Sequence, residues 1–203
     1  MTLPGSAVLV LLAAEDAGEL LTLQRAAFVT EAQAYSNPHI NPLTEPLAAV
    51  VAAIEGPAVV VFGLRGPGGR LLAAARLRLD EADDTVAHLG RLVVAPDLQG
   101  RGLGGALLSA AESVAPDGVR EIRLFTGARS AANLRLYRRH GYVDAPAGTE
   151  PAALDGVVFT HLVKALGPGL CDDAAAPSRV GPGAAPATPA QSQVGPTRGG
   201  KEP

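Results

Sequence analysis

The sequence predicts a mixed α/β (α+β) fold, built on a mostly antiparallel sheet of six to seven strands with one parallel strand–helix–strand unit at its centre. Two observations carry this. Three apolar, β-branched runs between residues 58 and 95 are separated by short turn segments, Gly66-Pro67-Gly68-Gly69 and Asp80-Glu81-Ala82-Asp83-Asp84, and read as an antiparallel meander. The third run then enters a glycine cluster, a helix and another strand, an arrangement that normally makes a parallel crossover.

Taken in order, the apolar run at residues 7–14 has no basic segment before it and acidic residues directly after it. It is too short to span a bilayer and lacks the basic flank of a signal peptide, so it reads as the first strand. From Glu15-Asp16 a helical pattern places Leu20, Leu23, Ala27 and Phe28 on one face and continues towards Tyr35. Two prolines break it at residues 36–42. Thr44 is expected to cap a second helix carrying Leu47, Val50, Val51 and Ile54, which stops at Gly56-Pro57. The meander follows at residues 58–64, 71–79 and 86–95. Leu103, Leu107, Ala110, Ala111 and Val114 form the stripe of the next helix, and residues 120–126 form the strand after it. Ser130 is expected to cap a short helix through Tyr137, with Gly141 as its stop. Residues 142–143 and 157–163 complete the strands.

Composition narrows the function. A chain of 203 residues holds one domain of ordinary size plus something extra. Hydrophobic content of 47% with a net charge of −3 fits a globular protein without the basic surface of a nucleic-acid binder. Neither a nucleic acid nor a membrane is an expected partner, and the expected location is cytoplasmic. Cys171 is the single cysteine, so an internal disulfide and any cysteine-based metal cluster are excluded. His39, His140 and His161 have no partners at ligand spacing, and no metal is expected. Residues 167–203 hold seven prolines, seven glycines and no aromatic residue, a composition that cannot offset its ordering entropy. The expected division is therefore a folded domain at residues 1–166 and a disordered tail at residues 167–203.

The stretch from Gln99 to Gly105 carries the chemistry. Glycines without a Cβ let backbone N–H groups converge, and the first turn of the following helix has free N–H groups and partial positive charge. Gly100, Gly102, Gly104 and Gly105, with Arg101 and Leu103 between them, suit a diphosphate. A plain turn is the competing reading. The stretch formally satisfies G-x-G-x-x-G, with Glu121 at about the distance of a ribose-binding acid. Three features weigh against a dinucleotide fold: residues 96–99 separate strand from glycines, Glu121 begins its strand where the acid should end it, and a meander precedes the unit. A P-loop fails because no Gly-Lys-Ser/Thr follows.

With the helix from Asn133 to Tyr137 added, the chain resembles the GNAT superfamily of acyl-CoA-dependent N-acetyltransferases. Gln99, Gly102 and Gly104 meet the signature Gln/Arg-x-x-Gly-x-Gly/Ala, with Val94-x-Pro96 upstream, and the segment from Ser130 to Tyr142 looks like the second family motif. The element order fits over residues 6–165. The resemblance implies a sheet with helices on both faces, acetyl-CoA as co-substrate, and transfer of its acetyl group to a primary amine by direct attack in a ternary complex. It implies that Leu92, Val93 and Val94 pair with the pantetheine arm as an added strand. The amides from Gln99 to Gly104 (Gln99, Gly100, Arg101, Gly102, Leu103 and Gly104) would hold the pyrophosphate, and Asn133 would bond the pantetheine or phosphate end. A backbone N–H near Val93 or Val94 would meet the oxyanion, and Tyr137 would protonate the leaving thiolate.

The base depends on the acceptor. A lysine-like amine needs roughly 4–5 kcal/mol to deprotonate at pH 7, and an α-amine about 1. His88, four residues before Leu92 and on the same face by parity, stands where the histone-acetylating branch has a glutamate, and is the candidate base. Glu31 and Tyr35 end the first helix beside the acceptor loop, where they are placed to bind or help deprotonate an amine. Three readings compete: a small amine as acceptor, a protein N-terminus or lysine as acceptor, and a catalytically silent acyl-CoA-binding module. A homodimer is left open.

Overall fold

The structure is a computed structural model, and it describes residues 6–146, 153–154 and 157–167. Strand β1 (Val8–Leu11) leads through a single 3-10 turn at Ala14–Asp16 into helix α1 (Ala17–Tyr35). Ser36 closes α1 in the left-handed conformation, φ 51°. Helices α2 (Asn41–Thr44) and α3 (Leu47–Glu55) follow. Thr44 therefore ends a short helix, and Pro46 occupies the cap of the next one, because a proline without an N–H is tolerated there. The meander comes next: β2 (Val59–Arg65), β3 (Leu71–Leu79) and β4 (Val86–Val94). Helix α4 (Leu103–Val114), β5 (Glu121–Gly127), α5 (Ala131–Arg139), β6 (Val143–Asp144), β7 (Ala153–Leu154) and β8 (Val157–Ala165) complete the order.

The strands form one sheet in the order β1-β2-β3-β4-β5-β8-β6, with β7 paired to β8. Every pairing is antiparallel except β4 with β5, the crossover made by α4. Two of the eight strands are only two residues long. Residues 168–203, with Cys171, lie outside the described residues, so the tail expected there has no structural counterpart to compare.

The core has two layers, one on each side of the sheet. Phe62, Ala73, Ala75, Leu77, Ala87 and Leu89 bury against Leu103, Leu107, Leu108 and Ala111 of α4. On the other side Val61, Leu71, Ala74 and Val93 bury against Leu20, Leu21 and Leu23 of α1 and Val50 of α3. Each fully buried leucine contributes about 2 kcal/mol. Alanines in the central strands let the helices approach closely. Helices thus cover both faces, as the resemblance implied.

Two irregularities position the site. The parallel pairing of β4 with β5 covers only Val86↔Glu121, Ala87↔Ile122 and His88↔Arg123, after which the strands part. In β4 a bulge sets Arg91 and Leu92 opposite the single residue Ala75, between the pairs Arg76↔Gly90 and Ala74↔Val93. Arg91 holds the left-handed conformation this requires, φ 52°. The bulge also breaks strand alternation. Ala87 and Leu89 share the α4-side core with Leu92 and Val94, whereas Val93 lies in the α1-side core. His88 therefore faces away from Leu92, against the parity argument.

Candidate active site

Where β4 and β5 part, a cavity of about 380 Å³ opens between the sheet, α1, α2 and α5. Its floor is Leu89, Gly90, Arg91 and Leu92 of β4 and Phe125, Thr126 and Gly127 of β5. Asn133 and Tyr137 of α5 form one wall, and Phe28, Glu31 and Tyr35 of α1 form another. Ile40, Asn41 and Pro42 cover it, and Val157 and Phe159 close the β8 side. Five of the seven aromatic side chains in the sequence line this space, so it is apolar-walled with few polar groups.

Tyr137 is 7% exposed and packs edge-on against Tyr142, with ring centroids 6.0 Å apart. Burial raises its phenol well above the usual value, and the nearby Glu31 carboxylate adds to the rise. Its hydroxyl is therefore a neutral donor at any physiological pH. Glu31 is held in place by Ser130, whose Oγ donates to Glu31 Oε1 at 2.7 Å. Ser130 consequently makes no side-chain cap on α5, contrary to the sequence expectation. Tyr35 Oη accepts the Arg129 N–H at 2.8 Å, and the Arg129 guanidinium stands over the Tyr35 ring. A Cβ at Gly127 would run into the hydroxyl end of Tyr35, so any larger residue there would displace that ring.

At one end of the parted strands lies the glycine loop. Gly100 and Gly102 have φ 77° and 84°, and the bond from Ala106 N–H to Gly102 C=O at 3.0 Å spans the entry to α4. The amides of Leu103, Gly104 and Gly105 have no intrahelical acceptor, as expected of a helix start. Arg70 grips Asp97 through two bonds of 2.8 and 2.7 Å and fixes the 3-10 turn Pro96–Leu98 that delivers the loop. Gln99 Nε2 reaches only to 3.5 Å from the Val94 carbonyl, and Arg101 is exposed. Gly105 leaves room for the His140 ring, which would stand 2.7 Å from a Cβ there and is tied through Nδ1 to the Leu136 carbonyl at 2.9 Å.

The structure thus brings Leu92, Asn133, Tyr137, Glu31 and Tyr35 to one cavity, with the loop from Gln99 to Gly104 continuing the end of β4. Val93 is buried in the opposite core layer. His88 does not line the cavity. Its Nε2 lies 2.7 Å from Asp80 Oδ2, beside the turn that precedes β4.

Sequence reasoning missed a polar cluster at the α1–α2 side. Glu45, with a side chain only 10% exposed, accepts from Gln24 Nε2 at 2.8 Å, Arg76 Nη1 at 3.2 Å and Arg91 Nε at 3.2 Å. Arg91 Nη2 also donates to Asn41 Oδ1. Burial pushes the Glu45 carboxyl up, but the Gln24 bond and the Arg91 and Arg76 charges outweigh it and hold the group below the ordinary range. The one signal in the sequence was Gly90, since a glycine inside a strand marks a bulge or a close approach.

A sheet that parts at β4 and β5, the one parallel pair among the described strands, with a glycine-started helix at the opening, defines a mixed α/β domain of the kind the resemblance implied. The sequence profile of the acetyltransferase (GNAT) family matches residues 23–142, and the chain belongs to that family. Solved structures agree on the fold. The PaiA N-acetyltransferase from Thermoplasma acidophilum, solved in complex with coenzyme A, is 19% identical, with 79% of this chain and 99% of that chain covered and a TM-score of 0.66. A spermidine N-acetyltransferase SpeG chimera from Vibrio cholerae and hSSAT is 17% identical over 78% and 95%, TM-score 0.62. An acetyltransferase from Thermus thermophilus is 20% identical over 81% and 100%, TM-score 0.60. No curated protein sequence matches the chain significantly.

Proposed function

We propose that the chain transfers an acetyl group from acetyl-CoA to a small primary amine, by direct attack in a ternary complex. The observation that carries this is the parting of β4 and β5, which joins the glycine loop at one end to the cavity holding Tyr137. The loop fits a diphosphate on its own geometry. Two glycines at positive φ, a helix start with unpartnered amides and an exposed arginine make a concave donor surface. Amides from Gln99 to Gly104 would hold the pyrophosphate, Asn133 the pantetheine end, and the free edge of β4 at Leu92 to Val94 the extended arm.

Acetyl-CoA supplies a thioester carbonyl and a thiolate leaving group. The residues of this chain do the rest. Glu31 accepts the amine's proton, directly or through a water, in the position its Ser130 bond gives it. Tyr137 gives its proton to the departing sulfur. Its raised pKa keeps it protonated, and the same burial raises the proton affinity of the thiolate, so donor and acceptor shift together. His88, paired with Asp80 away from the cavity, has no part in this scheme. The cover made by Ile40, Asn41 and Pro42 favours a small amine over a protein segment.

Acetyl-CoA is expected to raise the melting temperature, and Gly102→Glu to abolish the rise by placing a carboxylate in the phosphate cradle. Thiol release is then measured across polyamines, aminoglycosides, amino acids and peptides. An unchanged melting curve in saturating acetyl-CoA would remove the co-substrate assignment, and release with none of the amines would remove the transferase reading.

A further inference from the structure

The ionised groups that line the cavity are Glu31 on the α1 wall and Arg91 on the floor. Their surroundings differ. Glu31 has a neutral hydroxyl as partner, from Ser130. Arg91 belongs to a cluster in which two guanidinium groups, its own and that of Arg76, share the single carboxylate of Glu45. Two positive charges thus face one negative charge, and Nε and Nη2 of Arg76 are buried without an acceptor among the described residues.

Burying a surplus charge is unfavourable, and such a surplus is normally met by a counter-charge. Arg91 is the member of the cluster that reaches the cavity, with a side chain 26% exposed. Its Nε bonds Glu45 and its Nη2 bonds Asn41, which fixes the plane of the guanidinium and, among the described residues, leaves Nη1 for a guest. The backbone is strained to put it there. Arg91 is a non-glycine strand residue at positive φ, an unfavourable conformation, and bulges of this kind re-aim a side chain. Phe28, Leu89, Phe125 and Phe159 line the same cavity.

We propose that the acceptor is an amino acid with an apolar side chain, its carboxylate bound by Arg91 beside Asn41 and its ammonium group by Glu31. The fate of the amine rests on the acetyl-transfer reading, whereas the carboxylate site does not. A carboxylate at Arg91 brings the cluster to neutrality, and the phenylalanine rings take the apolar body. A polyamine, by contrast, would bring further positive charge to Arg91 and leave the surplus uncompensated.

The test uses the full chain in saturating coenzyme A, with hydrocinnamate as a carboxylate probe that has no amine to acetylate and phenethylammonium as its cationic counterpart. Calorimetry is expected to show hydrocinnamate binding about 100-fold more tightly than phenethylammonium. Arg91→Gln is expected to remove that preference and Arg91→Lys to retain part of it, since a lysine keeps the charge without the fork. Equal binding of the two ligands overturns the proposal without recourse to any variant. Unchanged hydrocinnamate binding in a folded Arg91→Gln chain overturns it as well. In the transfer assay kcat/KM for phenylalanine is expected to exceed that for phenethylamine about 100-fold, and a preference for phenethylamine or spermidine overturns the proposal. Selective hydrocinnamate binding without thiol release from any amine supports the carboxylate site and counts against acetyl transfer alone.

Discussion

Tyr137 is placed by burial, by its edge contact with Tyr142 and by the cavity wall it forms, so replacing its hydroxyl leaves packing almost intact. Tyr137→Phe is expected to lower kcat about 100-fold with acetyl-CoA affinity changed much less, as steady-state kinetics beside calorimetry will show. Asp80 allows a second prediction at this scale. The His88 hydrogen bond, with the backbone N–H groups of Ala82 and Asp83, lowers its carboxyl from 3.8 to about 2. A depressed carboxyl contributes stability above its unfolded pKa and loses it as the pH falls through its folded one. That contribution is thus lost between about pH 4 and pH 2, and thermal melts across this range should show a shallower acid slope for His88→Ala. That Tyr137 and Asn133 share a short helix was legible from the residues that bound it, while the roles proposed for them rest on the resemblance. Arg91 was not legible. Its role depends on a left-handed backbone angle and on Glu45, forty-six residues away, and neither leaves a local pattern.

At the scale of elements, Glu45 ties the segment between α2 and α3 to both β3 and β4 through Arg76 and Arg91, and to α1 through Gln24. Removing its charge would leave two half-buried guanidinium groups facing each other. Glu45→Gln is accordingly expected to lower the unfolding free energy by about 3 kcal/mol, measured in urea, and to loosen the cover over the cavity. The meander, the crossover helix and both motif helices follow from hydrophobic period and turn residues alone. The β4 bulge does not, because alternation looks regular on either side of it and only pairing with Ala75 shows the extra residue. His88 illustrates the cost of that omission. A parity count carried across the bulge assigned it to the face of Leu92, whereas the fold turns it towards Asp80.

At the scale of the whole molecule, the buried residues of the two core layers run, among the described residues, from Ala7 to Leu162, and Leu166 N–H closes β8 on the Arg120 carbonyl at 2.7 Å. Truncation after Leu166 is expected to leave the melting temperature and acetyl-CoA binding unchanged, and loss of folded protein on truncation would show that the remaining segment contributes to the domain. Fold class and element order were readable because they rest on periodicity summed over many residues. The cavity was not, since it is assembled from six separate elements and opens where two strands fail to meet.

That failure has a consequence for how the molecule comes apart. Three residue pairs join β4 to β5, against seven between β5 and β8, so beyond His88 and Arg123 the seam between the halves of the sheet is held by the core on the α4 side and not by strand pairing. Amides bordering the seam should exchange with deuterium by a sub-global opening well below the energy of full unfolding. An extended ligand bonded along β4 would stitch the halves together, and exchange at residues 89–94 and 124–127 should then slow until it merges with that of the central strands. On the proposed reading, a bound acetyl-CoA would act as a further strand, and the sheet would be continuous across the seam only while the ligand is held.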